Sequence, residues 1–470
     1  MNLKKLSKLF TKGKTSFGAN LTFWDELEPE QSAMVQSLNS RSAGGFWKNF
    51  LIVMKEGFEK FMAKFYSNYG HKSIADCGST TGAADNISML AAKELQNWWA
   101  YNGQETSTRY VDVTGLGYLD PVGSEVSKQI MERWFDFYKK ALQPTIDHLK
   151  TIRPRKTEGE KPEDEEKYNV MIEKRAYDVL GSFLPAGTKT NASCHMELRQ
   201  WDDKLAYMIH HPLPEIAELA KEMLSILTER YPSTFDKKKV YEDSENYRKE
   251  YEKEFAYVIS KITMEEGYEV KTKGFLLRKN FQDDTLIQEE YRKLLETRPP
   301  KTDPPKILNE AGSYQLQFLI DFRSHRDWQR QRSALQRVPL LTTKNGFETW
   351  YLQQLPETVR IEAERLLIEQ SVAVDTLPCD TITKQYYIAM GYTVFNVFTV
   401  SLADLIYIIE LRTPTTVHPT ARRVALQAYE ALKQVLPDYV KIYAETNADD
   451  FNIKRAEQDL FLDGKRISKM

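Results

Sequence analysis

Two short stretches of this 470-residue chain concentrate side chains that can hold an anion. In Gln104-Glu105-Thr106-Ser107-Thr108-Arg109-Tyr110, the residues Glu105, Ser107 and Arg109 stand at alternate positions. On an extended segment all three point to one side. A carboxylate, a hydroxyl and a guanidinium converging in this way can grip the phosphate and the sugar or base edge of a nucleotide. An ordinary polar strand with a local ion pair has the same spacing. The second stretch is Arg323-Ser324-His325-Arg326-Asp327-Trp328-Gln329-Arg330-Gln331-Arg332, with four arginines in ten residues. Arg323, Arg326 and Arg330 fall at i, i+3 and i+7, one face of a helix. Guanidinium forks bind phosphates bidentately, although a solvated helix face paired with acidic neighbours has the same composition. The preceding apolar run (Leu316, Phe318, Leu319, Ile320) predicts that this helix is partly buried. Unpaired buried arginines are costly, so an anion is expected there.

Other chemistries have weaker support. Cys379 lies in Leu377-Pro378-Cys379-Asp380, and no histidine follows it, so a nucleophilic role is not expected. Gly115-Leu116-Gly117 lacks the wider spacing of a dinucleotide fingerprint, and no phosphate-binding loop of the Walker type is present. The histidines have no metal-ligand spacing, so no metal is expected, and His210-His211 is read as a helix cap.

The elements that must position these groups follow from periodicity. Residues 20–110 alternate polar and aromatic segments at helical spacing, interrupted by the small residues Gly78-Ser79-Thr80-Thr81-Gly82. Residues 151–167, with two prolines and almost nothing apolar, read as an exposed loop. Ile216, Leu219, Ala220, Met223, Leu224 and Leu227 form one buried helical stripe after His211-Pro212. The second half ends similarly: Glu410-Leu411-Arg412 echoes Glu197-Leu198-Arg199, and His418-Pro419 precedes a helix with Ala425, Ala428, Leu432, Val435 and Leu436 on one face. The repeated order predicts a duplicated module. The expected organisation is a first module over 20–231, a charged connection over 232–255, a more diverged second module over 256–445, and a tail over 446–470. Each module is expected to be α/β (α+β), helix-rich with a small central sheet.

Composition narrows the class. With 65 Lys and Arg against 67 Asp and Glu, there is no excess charge to suggest a nucleic-acid or membrane-surface partner. Three scattered cysteines suit a reducing, cytoplasmic setting. The basic N-terminal stretch lacks the apolar core of a signal peptide, and no apolar run is long enough to span a membrane.

The two arginine-bearing stretches together resemble the flavin-dependent thymidylate synthase (ThyX) family. Its signature is Arg-His-Arg, two spacers, Ser, one spacer, Asn-Glu, one spacer, Ser, one spacer, Arg-Tyr. The first half keeps the tail of this pattern in Glu105, Ser107, Arg109 and Tyr110 but carries Asn97-Trp98-Trp99 in place of Arg-His-Arg and Asn102 in place of the first Ser. The second half keeps the head, with Arg330-Gln331-Arg332, and lacks the Glu, Ser and Arg that should follow. Tyr69-Gly70-His71-Lys72-Ser73-Ile74-Ala75-Asp76 is similar to the family's Gly-His segment, and Leu184-Pro185 followed by Arg199 keeps its later spacing. Arg412 stands at the family's late arginine, where the first copy has Met208.

The resemblance implies methylation of dUMP to dTMP with FAD, NADPH as reductant and methylene-tetrahydrofolate as carbon donor. It implies Arg109 and Arg412 as catalytic residues, with Glu105, Ser107, Arg109, Arg330 and Arg412 on the nucleotide. His71, Arg326, Arg330, Gln331 and Arg332 would contact the flavin. Family members are homotetramers with sites shared between subunits. The split motif therefore implies composite sites formed by both modules, in a homodimer that imitates the tetramer. Two alternatives remain: flavin-dependent C5 alkylation of another pyrimidine nucleotide, or flavin and nucleotide binding without catalysis.

Overall fold

The computed structural model describes residues 10–17, 19–25, 27–40, 42–59, 62, 72–157, 164–236, 242–256, 270–272, 274–337, 340–449, 451, 461–462 and 465–466. His71, named above as a flavin contact, lies outside them. The fold is helix-rich α/β with small antiparallel sheets, the expected class.

The chain forms two compact units. The first comprises residues 1–83, 100–103 and 193–253, and the second residues 84–99, 104–192 and 254–470. Both motif-bearing stretches belong to the second.

The first unit opens with a hairpin, β1 (Phe10–Lys14) and β2 (Asn20–Trp24), followed by α1 (Pro29–Ser37) and α2 (Gly45–Glu56). The small residues at 78–82, read above as an interruption, instead begin a strand, β3 (Ser79–Ser88). Its alternating polar side chains face water while the backbone pairs, so residue size misleads there. β3 leads into α3 (Met89–Gln96) and then β4 (Asn102–Glu105). Two long helices of the second unit follow: α4 (Glu125–Ile152), started by a Ser124/Ser127 capping box, and α5 (Glu165–Leu180), capped by Asp164. The loop expected over 151–167 is therefore shorter, because both helices run into it. Next come β5 (Lys189–Glu197), α6 (Leu198–Met208), α7 (Pro214–Arg230), α8 (Pro232–Phe235) and α9 (Glu242–Glu250). Of the α7 stripe, Ile216 and Ala220 are buried and the rest half-buried. The cap of α7 is Leu213 rather than His210 or His211, although the Leu213 N–H donates to His211 Nδ1 over 3.0 Å. The charged stretch 232–255 contains buried Phe235 in α8 and no buried residue in α9.

The later part of the second unit is built on a five-stranded sheet containing β6 (Val270–Thr272), β7 (Phe275–Gln282), β8 (Gly312–Asp321), β9 (Leu335–Arg337) and β10 (Thr393–Ser401), in the order β6-β7-β8-β10-β9. The run Leu316–Ile320 that precedes the arginine helix lies in β8. Leu316, Phe318 and Ile320 are fully buried, which identifies a central strand with an apolar face. α10 (Arg292–Thr297) precedes it, and α11 (Phe322–Gln329), α12 (Thr349–Gln353), α13 (Glu357–Thr376), α14 (Thr381–Lys384), α15 (Leu402–Arg412) and α16 (Pro419–Val435) complete the unit. The core centres on Trp328, whose ring lies 5.0 Å from Phe318 and 5.4 Å from Phe398.

Element lengths repeat between the halves. β3 and α3 have 10 and 8 residues, as do β8 and α11. β5, α6 and α7 have 9, 11 and 17, as do β10, α15 and α16. The strand orders β3-β5-β4 and β8-β10-β9 also agree. The match is reciprocal where the halves meet inside the second unit. Pro185 bridges Ala389; the Ala186 N–H donates to Ile388 O at 2.9 Å, and the Met390 N–H to Leu184 O at 2.9 Å. Gly187 donates to Tyr386 O at 2.8 Å and Gly391 to Ser182 O at 2.7 Å. Each pair turns into the other when its members are exchanged at the offset from residue 185 to residue 389. That is the pattern of an isologous, two-fold contact, here within one chain.

This register corrects one sequence equivalence. Glu197-Leu198-Arg199 opens α6, whereas Glu410-Leu411-Arg412 closes α15. The true counterpart of Arg412 at the end of α15 is Met208 at the end of α6.

Candidate active site

α11 begins at Asp321, whose Oδ1 accepts the Ser324 N–H at 2.9 Å and the Tyr351 hydroxyl at 2.7 Å. Burial pushes the Asp321 carboxyl above its ordinary value. The cap fixes the start of the helix, while Phe322 and Trp328 anchor one side in the core. Arg323 and Arg326 are left projecting from the other side, with Arg330 as the C-cap. The i, i+3, i+7 face is therefore real, and two of its arginines are buried.

Their partners come from the first half of the sequence. The Arg323 guanidinium donates to Tyr177 O at 2.9 Å, to Thr108 O at 2.8 Å, and to the Asp178 carbonyl. Burial lowers its pKa from the ordinary arginine value, and Arg326 and Arg109 push the same way. A Cβ at Gly181 would lie 2.7 Å from the Arg323 guanidinium carbon, so a residue without a side chain is needed against it. Arg326 pairs with Glu105 at 2.5 Å and donates to the Thr108 hydroxyl at 3.2 Å. Glu105, with its side chain 1% exposed, also accepts from Gln96 at 2.7 Å and faces Arg330 at 3.6 Å. The anion that the buried arginines demand is thus partly the protein's own.

Glu105 ends β4, and the chain does not stay extended beyond it. Tyr110 and Val111 both donate their N–H groups to Ser107 O at 3.1 Å, which closes a turn. The alternating-face reasoning therefore fails past Glu105. Arg109 is delivered by the turn, where it pairs with Asp178 of α5 at 3.0 Å and reaches Thr416 O at 3.4 Å.

These groups line one cleft of about 250 Å³, bounded by residues 104–110, Arg323, Ser324, Arg326, Asp327, Arg330 and His418. Burial opposes the charge of Asp327, yet Arg412, Arg109 and Arg330 hold its carboxyl below the ordinary value. Arg412 is lowered by burial and by Arg330 and Arg109, against the pull of Asp327. It donates to Asp327 O at 2.7 Å, and the Gln331 amide oxygen, turned towards it, accepts from Nε at 3.1 Å and Nη2 at 2.8 Å. Five guanidiniums thus gather with three carboxylates, Glu105, Asp178 and Asp327.

The structure therefore brings together Glu105, Ser107, Arg109, Arg326 and Arg330, with Arg412 and Gln331 beside them. Arg332 lies exposed past the end of α11. Sequence reading missed Asp178, Thr108, Asp327, Gln96 and His418 as site groups. Asp178 had no usable signal: its helix also carries Glu165, Glu166, Lys167 and Glu173, so one more charged residue does not stand out in the sequence. Among the described residues no group of His, Cys, Asp and Glu is arranged to hold a metal ion. The Cys379 thiol is pushed up by burial, which disfavours a nucleophile.

A family model described as Thy1, thymidylate synthase complementing protein, matches residues 25–233. The Thy1 segment supplies the Glu105-to-Arg109 wall of the cleft and Asp178, while Arg323, Arg326, Arg330 and Arg412 lie outside the matched stretch. Two relatives match along nearly the whole chain. A UPF0159 protein of Chlamydia muridarum is 24% identical over 468 residues, covering 88% of this chain and 87% of the relative. The UPF0159 protein Ta1429 of Thermoplasma acidophilum is 24% identical over 463 residues, covering 86% and 91%. Among solved structures, the flavin-dependent thymidylate synthase ThyX of Helicobacter pylori, complexed with FAD and dUMP, is 16% identical over 45% of this chain and 96% of that one, with a TM-score of 0.28. The UMP/dUMP methylase PolB of Streptomyces cacaoi, bound with 5-Br dUMP, is 13% identical over 45% and 90%, with a TM-score of 0.28.

Proposed function

We propose that this protein is a flavin-dependent thymidylate synthase-like methyltransferase that binds dUMP in the arginine cleft and methylates its C5 position. The observation that carries this reading is the joining, in one cleft, of the Thy1 segment's Glu105, Ser107 and Arg109 with the arginines of α11. Five guanidiniums against three carboxylates leave positive charge to spare for a phosphate in this cleft.

The residues act by binding and polarisation. Arg109 and Arg412 stabilise negative charge developing on the pyrimidine, fixed in place by Asp178 and by the Asp327 carbonyl. Glu105 orients Arg326 and Arg330, and Ser107 adds a hydroxyl. For FAD, the donor set fits at the end of α11, where the exposed Arg330 and Arg332 offer charge-assisted donors to a diphosphate and Gln331 an amide. The flavin supplies hydride and mediates carbon transfer when bound, with NADPH as reductant and methylene-tetrahydrofolate as carbon donor. The two modules of the chain, meeting at a two-fold contact, would form a homodimer equivalent to a tetramer. A cytoplasmic setting agrees with Cys77, Cys194 and Cys379, all free, and no described helix is long and apolar enough to cross a membrane.

The test is tritium release from 5-labelled dUMP, with and without methylene-tetrahydrofolate, by protein whose absorbance shows bound flavin. Folate-dependent release is expected. Release without folate, or with another pyrimidine nucleotide alone, would favour related C5 chemistry. A colourless chain that fails to take up FAD would rule out both.

A further inference from the structure

Gln96 belongs to neither arginine-bearing stretch, yet its side-chain amide touches both. It is the last residue of α3 and is buried. Its Nε2 donates to a Glu105 carboxylate oxygen at 2.7 Å, and its Oε1 accepts from Arg330 Nε at 3.3 Å. These contacts admit one amide orientation, because an ionised carboxylate only accepts and a guanidinium only donates. They also narrow the residue type. A carboxylate here would meet the charge of Glu105, and a lysine or arginine would meet that of Arg330. A neutral amide satisfies both ends.

The contact decides which donors Arg330 has left. Its Nη2 stands 3.6 Å from Glu105, too far for a hydrogen bond, and its Nη1 donates to no group among the described residues. The side chain is 37% exposed and lines the cleft. Nε is therefore the anchored side of this guanidinium, and the Nη edge is left for an anion. Register supplies a comparison within the chain. Gln329 closes α11 as Gln96 closes α3, each helix having 8 residues. Gln329 Nε2 donates to Lys93 O at 3.0 Å, a contact with the backbone of the other helix. The same amide at the same register staples two helices in one half and bridges two charged side chains in the other. We propose that Gln96 is a positioning residue: it anchors Arg330 through Nε so that the Nη edge meets the phosphate of the nucleotide in this cleft. The proposal rests on the nucleotide reading above.

Gln96→Met keeps an unbranched side chain of similar length and removes both polar ends. By calorimetry it should weaken dUMP binding about tenfold, what one charge-assisted hydrogen bond contributes. Deoxyuridine, which lacks the phosphate, should bind within about twofold of its wild-type affinity, because no bond to it is lost. In an Arg330→Ala background the same substitution should change dUMP affinity by less than about twofold, since its effect passes through Arg330. A merely structural amide would weaken both ligands alike, or cost the same in both backgrounds. Either result overturns the proposal, as does wild-type dUMP affinity in Gln96→Met. A measurement on the wild-type chain covers a variant that does not fold. Nitrogen-15 NMR of the full chain should show the Arg330 Nε–H exchanging with deuterium more slowly than that of free arginine. Exchange at the free rate overturns the proposal. A wild-type chain that binds no dUMP sinks the nucleotide reading, and the exchange rate still judges the bond to Gln96.

Discussion

Glu105 is the residue on which the arginine helix closes. Its side chain is buried and meets Arg326, Arg330 and Gln96. Removing one partner of a buried pair leaves an uncompensated charge, which costs about 3–5 kcal/mol. Glu105→Gln should therefore lower unfolding stability by roughly that amount in urea titrations, and more than Ser107→Ala does. If the two variants are equally stable, the pair is not the clamp described. A second residue sets a pH dependence. Burial holds the His325 imidazole well below its ordinary value of 6.5, and Lys93 and Arg326 add to the effect. The folded state then binds fewer protons than the unfolded chain. Stability is present above the unfolded value and is lost as pH falls below about 6.5, with a slope of at most ~1.4 kcal/mol per pH unit from this group. Urea midpoints at pH 7.5 and 5.5 should differ in that direction, and His325→Gln should flatten the difference even if it lowers both midpoints.

At the scale of elements, α5 and α11 are locked by a contact that no local pattern announces. Gly181, just past α5, has ordinary helical angles, so its need for hydrogen comes from the Arg323 guanidinium lying against it. Gly181→Ala should displace Arg323 and cost ~1–3 kcal/mol, the usual price of overpacking, seen as a lower melting temperature with reduced nucleotide affinity. A variant with an unchanged melting temperature would show that the guanidinium can move freely. This element also shows where the sequence was readable. The i, i+3, i+7 arginines of α11 were legible because a helix face is a local property. The partners Tyr177 and Asp178 were not, since they lie about 145 residues away and their contacts run largely through backbone carbonyls. Glu105 and Arg109 were found by type, but the geometry offered for them was wrong beyond Glu105, because a turn closed on the Ser107 carbonyl leaves no mark in side-chain spacing. The duplicate order was visible in the amphipathic helix that follows His-Pro in each half, whereas Glu-Leu-Arg falls at opposite helix ends and His-Pro out of register, since His418 is the N-cap of α16 but Leu213 that of α7.

For the whole molecule, the two-fold contact at Pro185 and Ala389 raises the question of whether its symmetry extends to function. The residues argue that it does not. Register places Leu90 and Lys93 of α3 at the positions of Arg323 and Arg326 in α11, and Met208 at the position of Arg412. α5, with 16 residues, supplies Asp178, whereas its counterpart α14 has only 4. The second set keeps one cation, Lys93, but lacks the arginines and the long helix that hold the first cleft together, so each chain should bind one dUMP. The kept cleft draws Arg109 and Arg330 from the two halves of the same chain. In a site shared between separate subunits, mixing two inactive variants restores some intact sites. Here it cannot, because an Arg109→Ala chain and an Arg330→Ala chain each carry one defective cleft. Each variant should lose activity alone, and their co-refolded mixture should stay inactive, whatever the oligomeric state. Recovery in the mixture, measured as tritium release from 5-labelled dUMP, would mean that these two arginines meet across chains; calorimetry giving two nucleotides per chain would mean that the second cleft survives in another form.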